Sequence, residues 1–365
     1  MTSLDDLPIR DDLRGQQPYG APQPRVRVEL NVNENPHPVP ADVVEDIIAR
    51  IRVELATINR YPDREFVALR TALAKYLGHG VTPDMVWAAN GSNEIIQQTL
   101  QAFGGPGRTA LGFPPTYSMH SIMAAGSGTR WITAERDADF AITPETAVAA
   151  IRAQQPDIVF FCTPNNPTGT PVSLETIAAA YDAFDGIVFV DEAYAEFSPT
   201  GSPTALTLLP SRPRLIVSRT MSKAFAFAGA RVGYLAADPA VVDALRLVRL
   251  PYHMSALTQA AALGALAHAD EMLAMVDDIK VQRDRLVVEL ARLGYTPYPS
   301  DANFVLFGNV ANPHDVFERL LAKGIIIRDN GIPNHLRVTA GTEAETTEFL
   351  EELATLNGTL NGTLN

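Results

Sequence analysis

The chain has 365 residues, 46% of them hydrophobic and 19% charged, and carries a net charge of −13. That length suits two domains with a sizeable core, and the composition is that of an ordinary globular protein. The acidic balance disfavours nucleic acid as a partner, because phosphate backbones need a basic face, but a local pocket can still hold a phosphorylated ligand.

The start, Met1-Thr-Ser-Leu-Asp-Asp, lacks the basic flank and apolar run of a secretory signal, and no apolar stretch reaches the ~20 residues of a membrane span. A cytoplasmic chain without a membrane partner is expected. The single cysteine, Cys162, excludes an internal disulfide and fits a reducing compartment. It lies in an apolar run and reads as a small core residue.

Residues 1–40 carry Pro18, Pro22, Pro24, Pro36, Pro38 and Pro40 and predict an extended arm. Apolar residues at helical spacing predict helices over 41–55 and 65–77. Short Val/Ile/Leu/Phe-rich strands then alternate with helices. The strands are expected at 85–89, 109–111, 128–132, 158–162, 187–190, 215–218 and 232–235. The helices are expected at 94–103, 117–125, 144–153, 174–184 and 239–247. This pattern predicts an α/β fold around a mostly parallel, buried seven-stranded sheet, with ligands beyond the carboxyl ends of its strands. One long helical segment is expected over 258–293. A smaller α+β unit follows, with strands at 304–307, 325–328 and 336–339 and helices at 314–323 and 343–356. The expected division is an arm (1–40), a large domain (41–255) and a small C-terminal domain (256–365). The repetitive tail from Asn357 to Asn365 predicts a frayed end.

Several motifs fall at the predicted strand ends. Gly91-Ser92-Asn93 opens a helix, whose free N–H groups suit an anion, although a plain helix cap explains it equally well. Tyr117 follows a proline-stiffened turn and can stack on a flat heterocycle. Thr163-Pro-Asn-Asn166-Pro-Thr-Gly169 is a rigid loop after a strand. Asp191 ends the apolar run 187–190, where a buried carboxylate needs a cationic partner. Lys223 follows Thr220 and Ser222, with Arg231 eight positions later. A desolvated lysine is a Schiff-base nucleophile, and hydroxyls with an arginine suit a phosphate. Together these point to pyridoxal phosphate, held by a lysine imine with an acid at the ring nitrogen. No Gly-x-Gly-x-x-Gly follows a strand, which disfavours a dinucleotide. His253 and His335 are isolated, so no metal is expected.

The chain resembles the fold-type I pyridoxal-phosphate aminotransferases, and within them the histidinol-phosphate aminotransferase family, from about Tyr19 to Thr342. The motifs that carry the resemblance are Asn33-Glu-Asn-Pro36, Arg60-Tyr-Pro-Asp63, Gly91-Ser-Asn93, Pro164-Asn-Asn-Pro-Thr-Gly169, Asp191-Glu-Ala-Tyr194, the run from Arg219 to Arg231, and Leu336-Arg-Val-Thr-Ala-Gly-Thr342.

The resemblance implies that Lys223 bonds the cofactor and later acts as general base, with Asp191 at the ring nitrogen. It implies that Asn166 and Tyr194 hold the ring's 3-oxygen and that Tyr117 stacks on the ring. Ser92, Asn93, Thr220, Ser222 and Arg231 would hold the phosphate, joined by Tyr61 from a second subunit of a homodimer. Arg337 would take the donor's α-carboxylate and Arg328 the substrate phosphate, while Tyr19 and Asn33 close over the substrate. The implied reaction is transamination between L-histidinol phosphate and 2-oxoglutarate in histidine biosynthesis. An aromatic amino-acid aminotransferase and a decarboxylase of phosphorylated amino acids are the rival enzymes. A regulator of the same fold is the non-enzyme rival, though the chain has no basic region for DNA.

Overall fold

The computed structural model describes residue 3, residues 6–15 and residues 18–362, without the side chains of residue 12 and of 357–362. The proline-rich start is largely extended, and β1 (Val28–Glu29) clips it in parallel onto Ile325–Ile326 near the other end of the chain. The sequence predicted no strand in this arm. Helix α1 (Ala41–Leu55) has its predicted bounds, and α2 (Val67–Leu77) buries Leu69, Leu73 and Leu77.

A seven-stranded sheet follows. Its strands are β2 (Val86–Ala89), β3 (Thr109–Gly112), β4 (Arg130–Thr133), β5 (Ile158–Cys162), β6 (Ile187–Asp191), β7 (Leu215–Thr220) and β8 (Gly233–Ala237). Their spatial order is β2-β8-β7-β6-β5-β3-β4. All run parallel except β8, which is antiparallel to both β7 and β2. Strands β2, β5, β6 and β8 are buried at every residue, because helices cover both faces. This explains why they read as continuous apolar runs without alternation.

The covering helices are α3 (Ser92–Phe103), α4 (Ser118–Gly126), α5 (Pro144–Gln154), α6 (Leu174–Asp182) and α7 (Pro239–Val248). Local chemistry sets their starts. Thr143, Ser173 and Asp238 accept a backbone N–H of the first turn, and Pro144 and Pro239 stand where no N–H is needed.

The predicted long helix over 258–293 is two helices, α8 (Ala256–Ala267) and α9 (Ala269–Arg292). His268 leaves helical geometry between them (φ −114, ψ 32), and Asp270 and Glu271 favour a fresh N-terminus there. Strands β9 (Thr296–Pro297), β10 (Phe304–Gly308) and β12 (Leu336–Thr339) form a small antiparallel sheet. The expected strand 325–328 is shorter: only β11 (Ile325–Ile326) is regular, and Arg328 then bridges to Arg337. Helix α10 (Pro313–Ala322) lies beside it. Helix α11 (Glu343–Gly362) continues six residues past its predicted end, so the tail from Asn357 is helical where a frayed end was expected, and residues 363–365 lie outside the described part. No helix among the described residues is long and apolar enough to cross a membrane.

Candidate functional site

The carboxyl ends of β5, β6 and β7 meet the N-terminus of α3 at one edge of the large sheet. A cavity of about 160 Å³ lies there, lined by Ser92, Asn93, Tyr117, Asp191, Ala193, Tyr194, Thr220, Ser222, Lys223 and Arg231. It opens beside a larger cavity of about 620 Å³, whose wall includes Tyr19, Asn33, Asn166, Arg328 and Arg337, and which shares Tyr117, Tyr194 and Lys223 with the first. Fourteen of the fifteen residues singled out in the sequence therefore line one of two adjoining chambers. The exception is Tyr61. It is 80% exposed and stacked on Tyr252 at 4.4 Å, so it does not reach the site of its own chain.

One end of the smaller chamber is built for an anion. Thr220 Oγ donates to Ser222 Oγ (3.0 Å) and accepts from the Ser222 N–H (3.1 Å), so the loop turns both hydroxyls together. Arg231 takes a left-handed backbone (φ 57) and lays its guanidinium against Gly91. A side chain at Gly91 would collide with that guanidinium, and one at Gly233 would strike the backbone of Gly91 and Ser92. Two glycines thus let β8 and the start of α3 come together, leaving main-chain N–H groups, hydroxyls and one fixed cation around the same space.

The opposite end holds Asp191, which is 1% exposed. Its Oδ1 accepts from Ala193 N–H (3.2 Å) and Ser218 Oγ (3.4 Å), and its Oδ2 lies 3.1 Å from His120 Nε2. Sequence reasoning missed His120. The carboxylate is an acceptor, so Nε2 carries a proton, and the ring stacks on Phe160 (5.0 Å). Its one sequence signal was position: it sits three residues after Tyr117, in the first turn of α4.

Lys223 lies between these ends. Its Nζ donates to the Val32 carbonyl (2.8 Å), supplied by the arm. Burial, and then the nearby Arg337 guanidinium, lower its pKa from 10.5 to about 8. A lysine so placed is a usable nucleophile and base near neutral pH. Tyr117 hydroxyl meets Asn93 Oδ1 (3.1 Å), and burial pushes the Tyr117 phenol well above its usual range. The Tyr194 hydroxyl accepts from Asn33 Nδ2 (2.9 Å) and Asn166 Nδ2 (3.4 Å). Cys162 is buried with its thiol pushed up by burial, which makes it a core residue and a poor nucleophile.

In the larger chamber Arg337 is 4% exposed. It donates to Asn166 Oδ1 and to the Asn31 carbonyl, both at 2.6 Å, and its Nε has no partner. Burial, with Arg328 next to it, lowers its pKa to about 10. The two guanidiniums share one wall, and no carboxylate pairs with either among the described residues. A buried cation without an anion is costly, so this wall is complementary to an anionic ligand.

Behind the site lies a charged cluster that the sequence did not reveal. Glu192, next to Asp191, accepts from Arg219 (2.8 Å), Thr204 (2.7 Å) and the Ala205 N–H (2.7 Å). Glu196 faces the same arginine at 3.5 Å and accepts from Tyr76 (3.1 Å). Burial disfavours the Arg219 charge, but Glu192 and then Glu196 outweigh it and hold the guanidinium protonated. The cluster ties the strand end bearing Asp191 to the strand end bearing Thr220.

These features define a pocket in which a lysine, a buried acid and a set of hydroxyls with an arginine converge. The chain belongs to the aminotransferase class I and II family, whose model matches residues 26–353. It is 59% identical over 360 residues to the histidinol-phosphate aminotransferase of Paenarthrobacter aurescens, covering 98% of this chain and 97% of that one. It is 58% identical over 357 residues to the enzyme of the same name from Thermobifida fusca, covering 98% and 97%. Among solved structures it resembles the histidinol-phosphate aminotransferase of Sinorhizobium meliloti in complex with pyridoxal 5'-phosphate. That likeness has a TM-score of 0.83 at 26% identity, over 92% of each chain.

Proposed function

We propose that the chain transfers an amino group between L-histidinol phosphate and 2-oxoglutarate, giving imidazole-acetol phosphate and L-glutamate, as a pyridoxal-phosphate enzyme of histidine biosynthesis. The observation that carries this reading is the wall holding Arg337 and Arg328, two guanidiniums without a carboxylate, beside Lys223. One chamber must take a dicarboxylate and a phosphate monoester in turn. Arginine suits both anions, and an apolar pocket suits neither. The names of the relatives at 59% and 58% identity agree with it.

The smaller chamber fits pyridoxal phosphate by its donor set. The hydroxyls of Ser92, Thr220 and Ser222, with Asn93 and Arg231, would hold the phosphate. Asp191 would keep the ring nitrogen protonated, and Asn166 and Tyr194 would orient the ring oxygen while Tyr117 covers the ring. Bound, the cofactor supplies a conjugated ring that draws electrons from the substrate's α-carbon. Arg337 holds the donor's α-carboxylate and Arg328 the distal anion. Lys223 Nζ takes the α-carbon proton and returns it on the reverse half-reaction. Tyr19 and Asn33, on the arm, exclude water once substrate is in place.

The arm 1–40, a large domain 41–255 and a small domain 256–365 would be the units that close. We further read the protein as a cytoplasmic homodimer in which the exposed Tyr61 completes the neighbouring phosphate site. The exposure of Val53, Leu55, Ile58, Leu247 and Leu250 in the same region supports this. Sedimentation equilibrium should give twice the chain mass of 39.5 kDa; a single-chain mass at micromolar concentration removes the shared-site reading.

A donor and acceptor panel, phosphorylated and not, tests the substrate. Arg328→Ala should lower kcat/KM for L-histidinol phosphate by about 100-fold, the scale of a lost charge-assisted contact, and leave phenylalanine turnover within about twofold. Equal losses on both would remove Arg328 from the substrate phosphate, whereas a parent protein that turns over phenylalanine but not L-histidinol phosphate would favour the aromatic amino-acid aminotransferase.

A further inference from the structure

Thr339 sits on β12 two residues after Arg337, so strand alternation turns both side chains to one face. The arm runs along this strand: the Thr339 N–H donates to the Leu30 carbonyl (3.0 Å). Thr339 Oγ1 then accepts the Asn33 N–H (3.1 Å) and donates to Asn33 Oδ1 (3.1 Å). Asn303 Nδ2 donates to the Asn33 carbonyl (3.0 Å). These bonds hold Asn33 in a left-handed backbone (φ 59), which asparagine tolerates better than most residues. Asn33, Asn303 and Thr339 are all buried.

One hydroxyl thereby decides which end of the Asn33 amide faces Tyr194. With Oδ1 engaged by Thr339, Nδ2 is left to donate to the Tyr194 hydroxyl (2.9 Å). Asn166 is oriented in the same sense. A guanidinium only donates, so Arg337 engages Asn166 Oδ1 and leaves Nδ2 towards the Tyr194 hydroxyl (3.4 Å). That hydroxyl accepts two N–H groups and has its own proton left to give, and no acceptor for it occurs among the described residues. Tyr194 borders both chambers. Burial pushes its phenol well above the usual range; the Arg337 guanidinium and the Asn33 amide pull it down, and Asp191 adds to the rise. We propose that Thr339 is a positioning residue that acts through Asn33 to make Tyr194 a donor only, so that the phenol proton is offered to the ring oxygen of pyridoxal phosphate. The inference rests on the cofactor reading above and deepens it. Without the Thr339 hydroxyl the Asn33 amide is free to turn, and its oxygen would take the phenol proton instead. The ring oxygen then loses a donor that favours its anionic form, and Lys223 Nζ, bonded to the cofactor beside it, keeps its proton to higher pH.

The test is an absorbance titration of the cofactor-loaded protein, whose colour changes when that proton leaves. Thr339→Val keeps the shape of the side chain and should raise the midpoint by about one pH unit, the scale of one hydrogen bond to a charged group. Thr339→Ala should do the same and serves if the valine variant does not fold. Thr339→Ser keeps the hydroxyl and should stay within about 0.3 unit of the parent. Tyr194→Phe removes the proton at issue and should itself raise the midpoint. In that background Thr339→Val should add less than about 0.3 unit, because the two residues act through one contact. An unshifted midpoint without the hydroxyl, an equal rise in the serine variant, or an undiminished rise in the Tyr194→Phe background would overturn the proposal. A parent protein that gains no colour with pyridoxal phosphate would instead refute the cofactor reading itself, before any variant is compared.

Discussion

Replacing Lys223 by alanine is expected to abolish transamination, and borohydride reduction of the protein with pyridoxal phosphate should no longer tag this position. Lys223 is the one amine that lies between Asp191 and the anion cradle, and no neighbour can supply both a nucleophile and a mobile proton there. A variant with full turnover would refute the assignment. The effect on stability should run the other way. The folded-state pKa of Lys223 is depressed from 10.5 to about 8. Its charge therefore opposes folding most at low pH, and the cofactor-free protein regains stability as pH rises from about 8 towards 10.5. Lys223→Met removes that burden. Its cofactor-free form should melt no lower than the parent at pH 7, and should lack the parent's gain between pH 8 and 10. Because Lys223 is reached from the open cavity, the difference is expected to be small. A lower melting temperature at pH 7 would mean that the ammonium contributes stability through Val32.

Asp191→Asn is expected to lower turnover by about 100- to 1,000-fold, or ~2.7–4 kcal/mol, the scale of one lost preorganised electrostatic contact. The asparagine keeps the size of the side chain and can still accept from Ala193 and Ser218. It would lose the charge proposed to balance a protonated ring nitrogen. His120 sharpens the expectation, since its Nε2–H already occupies Oδ2 and an amide nitrogen placed there would meet a donor. Near-parental rates would remove Asp191 from the ring nitrogen.

What could be read from the chain was whatever its local chemistry determines. Ile158–Cys162 and Leu336–Thr339 were bounded correctly, because apolar runs between turn residues mark buried strands. Asp191 and Lys223 were readable because each ends or follows such a run. The antiparallel direction of β8 was not, since an all-buried strand looks alike in either sense. The break at His268 was hidden by apolar spacing that continues across it. His120 and the Arg219 cluster escaped for a common reason. Their meaning lies in partners far along the chain, 71 residues from His120 to Asp191 and 27 from Glu192 to Arg219, and spacing within one element carries no trace of them.

The short pairing of Val28–Glu29 with Ile325–Ile326 makes the leading segment part of the wall of the proposed site. Directly after it the chain lays Asn31, Val32 and Asn33 against Arg337, Lys223 and Tyr194. A protease that cuts just beyond Asn33 would strip these contacts while leaving the large sheet whole. Such nicking would disarm the protein without unfolding it, and extensions fused upstream of Tyr19 should be far better tolerated than deletions past it.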